Sequence, residues 1–482
     1  MFASNLKVMV IKIDETLKKT IKTIDKNGKG ICFVINKKKL VGVITDGDIR
    51  RGLIRGFTID SKVSEIINRE YVYLKFGTPD SIIQQKLSNE IKYIPLVDSE
   101  GNLVDYASRK KYHNIPMARP ALDGNELSYV TDCIETNWIS SQGKYVSKFE
   151  RGFADYICSA NAITTSNGTT ALHLALEALG IEEGDEVIVP NFTFIAPVNA
   201  ILYTKATPVL VDIDPDSLCI DTSLIQKSIT KKTKAILTVH IYGQSSSLNE
   251  ISRIAKKHNL LVIEDCAEAL GTYYNGKHVG IDSDASTFSF FGNKTLTTGE
   301  GGMVIFKNKA HEEKARMLRD HAMSPKKRYW HEKIGFNYRM TNLQAAIGLA
   351  QLERLDLFLE QKRSIAKKYD KNFISQSFFN VPKRLKNINH SFWLYTILLK
   401  EPYRKKRDFL IKKLLKNGIE TRPSFYPVNI MKPYKKLKYY SSKIDNTKIS
   451  SSAGISLPSF PGLDNDQINF ISYTLIKEIE NL

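Results

Sequence analysis

Lys294 closes the apolar run "TFSFFGN" and opens the glycine-rich segment "TLTTGEGG". A lysine at the end of a buried strand either reaches for water or is held against a group that uses its amine. Desolvation lowers its pKa, and the neutral amine attacks carbonyl carbon, the start of Schiff-base chemistry. Three other segments, and a serine in the same run, carry residue types that such chemistry needs. In "TSNGTTAL", Gly168, Thr169 and Thr170 open an amphipathic helix, where free N–H groups and the helix dipole favour a phosphate. "LLVIEDCAEA" ends a buried strand at Asp265, a carboxylate able to keep a ring nitrogen protonated. "PNFTFIAP" places Phe194 after another strand, a flat ring able to stack on a flat ligand. Ser289, five residues before Lys294, offers the same phosphate a hydroxyl.

One cofactor unites an aldehyde for the lysine, a basic ring nitrogen for the aspartate and a phosphate for the helix opening: pyridoxal 5′-phosphate. The elements that must position these groups are legible as well. "DEVIVP", "PVLVDI", "KAILTVH", "LLVIEDC", "ASTFSFF" and "GGMVIF" read as short buried strands. Helical patterns separate several of them, as in "TTALHLALEALG", where Leu172, Ala175, Leu176 and Leu179 share a face. Continuous apolar strands between helices imply an α/β fold with a mostly parallel sheet covered on both faces. A long helix is expected from Asn342 through "NLQAAIGLAQLERLDLFLEQKR". Beyond it, "FWLYTILLK" as strand and "RDFLIKKLLKNG" as helix, ending at Gly418, indicate a smaller C-terminal α/β lobe.

The chain of 482 residues exceeds one ordinary core, so two or three domains are expected. No apolar run approaches the roughly 20 residues of a membrane span, and the N-terminus lacks a signal-peptide core. Five scattered cysteines without metal-ligand spacing suit a reducing cytoplasm, and no metal site is expected. The net charge of +19 raises nucleic-acid binding. Its lysines are dispersed and form no recognisable binding module, so a lysine-rich proteome bias or attraction of anionic substrates accounts for the charge at least as well.

Residues 1–113 read as a separate module with an internal repeat. "ICFVINKKKLVGVITDGDIRRGL" runs strand, turn, strand, helix, and "YIPLVDSEGNLVDYASRKKY" repeats the plan. This resembles a CBS-domain pair, a regulatory module that often binds adenine nucleotides. The family's Gly-x-x-Thr-x-x-Asp pattern appears as Gly42, Thr45 and Asp48, which makes Thr45 and Asp48 the implied nucleotide contacts. In the second copy Ser108 falls at the hydroxyl position and Lys111 replaces the aspartate. One nucleotide site is therefore expected, with a purely structural pair as the alternative. "HNIPMARPALDGNE" is the hinge to the rest.

Residues 117–482 resemble the fold type I, pyridoxal-phosphate-dependent sugar-nucleotide aminotransferases. The matching segments include "NWISSQGKYVSKFE", "NGTTALHLAL", "GDEVIVPNFTFIAP", "VHIYGQ", "EDCAEA", "SFFGNKTLTTGEGGM" and "NYRMTNLQAAIGLAQLER". The resemblance implies a seven-stranded, mostly parallel sheet in a large cofactor-binding domain over 117–365 and a small domain over 366–482. It makes Lys294 and Asp265 catalytic, as cofactor attachment point and ring-nitrogen partner. Gly168, Thr169, Thr170 and Ser289 become phosphate contacts, Phe194 the stacking ring, and Glu268 a polar neighbour of the cofactor hydroxyl. Asn337 matches an asparagine donated across a dimer interface, so a homodimer or larger homo-oligomer is implied. Tyr329, Trp330, Arg339 and Arg422 are candidate substrate contacts. "SFFGNK", "KRYW" and "GIETRPSFYP" most resemble the family members that aminate C4 of GDP-4-keto-6-deoxymannose with glutamate, and that resemblance implies polysaccharide or O-antigen biosynthesis. Alternatives stay open: C4 or C3 amination of a UDP- or dTDP-keto sugar, or a nucleotide-sensing protein with an inactive aminotransferase-like part. A related sugar 3-dehydratase carries histidine at the lysine position, so Lys294 argues against it.

Overall fold

In the computed structural model the chain forms two compact units, residues 1–114 and 115–482. The structure describes residues 4–78, 82–83, 86–88, 90–108, 115–324, 326–442 and 445–482. Among them no helix is long and apolar enough to cross a membrane.

The first unit holds two sheets of one plan. β1 (Val10–Lys12), β2 (Ile31–Asn36) and β3 (Lys39–Thr45) form one, and β4 (Leu74–Lys75), β5 (Tyr93–Val97) and β6 (Leu103–Ser108) the other. In each the first pair is parallel and the second antiparallel. The register makes the copies equivalent: Thr45 pairs with Ile31, the first residue of β2, and Ser108 with Tyr93, the first residue of β5. One core, with Phe33, Ile35 and Val43 from one copy and Leu103 and Tyr106 from the other, joins them. Lys111, read as the second copy's departure from the motif, lies outside the described residues.

The second unit is built on an eight-stranded sheet. Its strands are β7 (Ile163–Thr165), β8 (Glu186–Pro190), β9 (Thr207–Val211), β10 (Thr233–Val239) and β11 (Leu261–Asp265). After a small hairpin, β12 (Tyr273–Tyr274) and β13 (Lys277–His278), come β14 (Ala285–Ser289) and β15 (Gly302–Phe306). The small lobe adds β16 (Phe379–Asn380), β17 (Ile388–Asn389), β18 (Tyr395–Leu399), β19 (Arg422–Pro423), β20 (Tyr439–Tyr440) and β21 (Gly454–Leu457). The large sheet runs β20-β9-β8-β10-β11-β14-β15-β7. The large lobe supplies the expected seven strands, and β20 pairs in parallel with the edge strand β9 as an eighth. Only β15 runs antiparallel to its neighbours.

Strand alternation explains the burial on both faces. Val187 and Val189 of β8 face one core with Leu237, Ile263 and the helix Gly168–Leu179. Ile188 faces the opposite core with Ile236, Val262 and the helix Leu248–His258. The expected single helix from Asn342 is two, Asn342–Leu352 and Leu355–Phe373. The break sits where side chains are drawn sideways: Glu353 accepts from Tyr129 at 2.7 Å and Asn125 at 2.8 Å, and Arg354 pairs with Asp123 at 2.6 Å. The second of these helices spans residue 365, the expected boundary between the large and small domains. Four antiparallel strands, β16-β18-β21-β19, and the helices Arg407–Lys416 and Asn465–Glu480 pack as the small lobe's own core.

Candidate active site

Parallel strands deliver their C-terminal ends to one edge of the sheet, where open α/β folds place their chemistry. β8 leads into Phe194, β11 ends at Asp265 and leads to Glu268, and β14 ends at Ser289 and leads to Lys294. Asp265 lies opposite Thr287 of β14, two residues before Ser289 on the same face.

The helix Gly168–Leu179 starts against this edge. Asn167 caps it, accepting from the Thr170 amide at 2.9 Å. The hydroxyl of Thr170 is committed to that cap: it takes the Asn167 amide at 3.2 Å and donates to the Asn167 carbonyl at 2.8 Å. The residue expected to meet a phosphate thus also has a structural role in the cap. The amides of Gly168 and Thr169 are first-turn donors without intrahelical partners. A Cβ on Gly168 would lie 2.9 Å from the Cβ of Ser289, so only glycine lets the helix opening and the strand end meet. Gly302 closes the same corner, since a Cβ there would meet the Asn167 carbonyl at 2.5 Å. The first-turn amides and the Ser289 side chain thus meet at one corner of the sheet edge.

The electrostatics are unbalanced in an informative direction. Asp265 is buried, and one oxygen accepts the Ala267 amide at 2.9 Å. Burial raises its pKa, against the pull of that N–H and the charges of Lys294 and His240. Glu268 is buried too and accepts the Tyr242 amide at 2.7 Å. Burial pushes it up to about 7, with Lys294 opposing. Lys294 is partly buried; desolvation lowers its pKa while Glu268 and Asp265 raise it. Two buried carboxylates therefore face one ammonium, and a second positive charge would relieve them. A protonated ring nitrogen next to Asp265 meets that requirement, and a phosphate suits the helix opening at Gly168 and Thr169. The residues present fit pyridoxal phosphate.

An aromatic wall, not anticipated from the sequence, completes the pocket. The Lys294 ammonium lies 4.0 Å from the centroid of the Trp393 ring. Trp393 stacks on Tyr242 (6.3 Å between centroids) and Tyr242 on Phe425 (5.5 Å). Phe194 stands at the far end, 57% exposed and 6.2 Å from Phe425.

Other expected contacts sit apart from this centre. Asn337 is exposed, beside Tyr338, whose carbonyl accepts the Ser166 amide at 2.8 Å. Tyr329 and Trp330 are exposed, with Arg328 and Lys327 over their respective rings. Arg339 is engaged by Asp320 and by Ser141, and Arg422 lies on the exposed β19 near Glu420. Among the described residues no hydrogen bond or ring contact joins these four to Lys294, Asp265 or Glu268. In the first unit Thr45 and Asp48 hold each other: Thr45 caps the helix Asp46–Ile54, its hydroxyl donates to Asp48 at 2.7 Å, and Arg51 pairs with Asp48 at 2.6 Å.

Residues 120–475 match the DegT/DnrJ/EryC1/StrS aminotransferase family. The chain belongs to this family. Residues 3–55, the first N-terminal copy, match the CBS domain. Over 360 residues the chain is 50% identical to GDP-perosamine synthase of Escherichia coli O157:H7, covering 74% of this chain and 96% of that one. The fold superposes on Helicobacter pylori PseC, an aminotransferase of pseudoaminic acid biosynthesis, with TM-score 0.73 and 28% identity, over 77% of this chain and all of that one. The pyridoxal-phosphate form of a sugar aminotransferase from Streptococcus pneumoniae, Spr1654, aligns with TM-score 0.71 and 28% identity, covering 77% and 99% of the two chains. The second unit is thus a fold type I, pyridoxal-phosphate-dependent aminotransferase.

Proposed function

We propose that the chain transfers the amino group of L-glutamate to C4 of GDP-4-keto-6-deoxymannose, forming GDP-perosamine and 2-oxoglutarate. The observation that carries this reading is the 50% identity to a GDP-perosamine synthase across 96% of that enzyme's length. The edge of the sheet bearing Lys294, Asp265 and the helix opening at Gly168 supports it. Bound there, pyridoxal phosphate supplies an electrophilic aldehyde and a ring that accepts the electrons left when a substrate proton departs.

In this reading Lys294 holds the aldehyde carbon and, once displaced, serves as general base. Its Nζ takes the α-proton of glutamate in one half of the cycle and delivers a proton to C4 of the sugar in the other. Asp265 keeps the ring nitrogen protonated. Glu268 faces the same lysine and shares its proton balance. The amides of Gly168 and Thr169, with the hydroxyls of Thr169 and Ser289, grip the phosphate, and Phe194 covers a ring face. Asn337, exposed in a single chain, reaches the phosphate of a second copy, making the enzyme a homodimer. The halves alternate, so glutamate and the sugar nucleotide give ping-pong kinetics. The reaction belongs to the cytoplasm, where the five free thiols remain reduced. An adenine nucleotide is the proposed ligand of the N-terminal unit, beside Thr45 and Asp48.

The test is a panel of GDP-, UDP- and dTDP-linked keto sugars incubated with glutamate, with products identified by mass and NMR. The GDP-linked 4-keto-6-deoxy sugar is expected to gain an amino group at C4, one per 2-oxoglutarate released. Preference for a UDP or dTDP sugar, or amination at C3, overturns the assignment.

A further inference from the structure

The side-chain amine of Lys294 makes no hydrogen bond among the described residues; it lies over the face of Trp393, 4.0 Å from ring centroid to Nζ. That indole is fixed on several sides. It is 5% exposed, its Nε1 donates to the carbonyl of Asn293 at 2.8 Å, and its ring lies against Tyr242. The bond to Asn293 ties the ring to the residue immediately before Lys294. On the other side, the Trp393 carbonyl accepts from Lys362 Nζ at 3.1 Å.

Lys362 is itself unusual. It is 4% exposed in the middle of the helix Leu355–Phe373, pairs with no carboxylate among the described residues, and donates a second bond to the Ser459 carbonyl at 2.6 Å. Burial pushes its pKa down to about 7. A lysine placed there costs desolvation that an apolar side chain would not. What it gains is a clamp on the carbonyls of Trp393 and Ser459. Asp265, Glu268, Lys362 and Arg119 are the charged groups facing Lys294 or lining the small cavity beside it. Burial opposes its protonated form, whereas the two acids favour it.

We propose that Trp393 is a positioning residue that receives the free, protonated side chain of Lys294, and that Lys362 anchors the backbone that carries the indole. The inference rests on Lys294 being the lysine that binds and releases the cofactor. An aromatic face attracts an ammonium and not a neutral amine. While the cofactor carries the amino group, Lys294 is free and charged. The indole then keeps its Nζ within the site and away from a rigid ion pair with Asp265 or Glu268.

The experiment uses full-length apoprotein. The rate at which pyridoxal phosphate is captured is followed against pH, trapped with borohydride, and the modified lysine is located by peptide mass. A cation–π contact of about 0.5–2 kcal/mol corresponds to a Lys294 pKa lower by about 0.4 to 1.5 in Trp393→Leu, and to capture about 2- to 30-fold faster near neutral pH. Trp393→Phe keeps a ring and loses the Nε1 bond, so its profile is expected between the two. Lys362→Met is expected to move it in the same direction. If Trp393 were only packing, its loss would admit water and raise the lysine's pKa, the opposite sign. An unchanged or raised pKa in Trp393→Leu overturns the inference, as does a Trp393→Phe profile matching Trp393→Leu. Should the leucine variant not fold, a wild-type profile in Trp393→Phe overturns it. A label on another lysine in the wild-type protein overturns the Lys294 assignment instead.

Discussion

One methyl group at position 168 tests whether the helix opening and the end of β14 form a phosphate cup. In Gly168→Ala the new Cβ would stand 2.9 Å from the Cβ of Ser289 and 3.2 Å from its Oγ. Carbon atoms prefer about 3.5–4.0 Å, so helix and strand must part by roughly 0.6–1.1 Å. Ser289 cannot swing aside, because the clash is with its Cβ and the strand is pinned at Gly302 of β15. Overpacking of this kind costs about 1–3 kcal/mol. Placed on the bound state, that is a loss of about 5- to 150-fold in pyridoxal phosphate affinity. Alanine is the better helix former by about 0.5–1 kcal/mol, so the helix itself is not weakened. Equilibrium dialysis of apoprotein against the cofactor, with a melting curve beside it, measures both effects. A folded variant with wild-type affinity refutes the cup.

Glu268 makes the apoprotein's stability depend on pH. Its folded pKa of about 7 stands above the ordinary 4.5, so the folded state holds the proton longer. Its contribution is full below about pH 4.5 and is lost as pH rises through 7, a change of up to about 3 kcal/mol. Glu268→Gln is expected to flatten this part of the pH–melting curve; an unchanged slope would show that Glu268 is not the group responsible. In the N-terminal unit, Thr45→Ala removes a helix cap and should cost that unit about 0.5–2 kcal/mol by denaturant titration. The same variant titrated with ATP or AMP should bind more weakly, and equal binding would leave Thr45 with the cap alone.

The sequence made much of this legible because the large sheet is buried on both faces. β8, β9, β10, β11 and β15 carry short apolar runs such as Val187–Val189, Val209–Val211 and Leu261–Ile263, and Asp265 and Ser289 are recognisable as the polar ends of β11 and β14, with Lys294 five residues on. β7 escaped because it has three residues, two of them threonine, and β20 because it has two. The helix break at Glu353 depends on Tyr129 and Asn125, more than 220 residues away in the chain. Long-range packing also hid Trp393, which reaches Asn293 across 100 residues and carries no motif of its own. Thr170 and the Thr45–Asp48 pair, read as ligand contacts, also serve helix caps through local bonds that the sequence reading did not include.

The account depends most on the amine of Lys294, and Lys294→Ala measures that dependence directly. With cofactor and glutamate present, the variant is predicted to lack both the visible absorbance band of the lysine-bound cofactor and any formation of amino sugar, while still folding. Turnover that survives in the alanine variant, or an undiminished band, would contradict it.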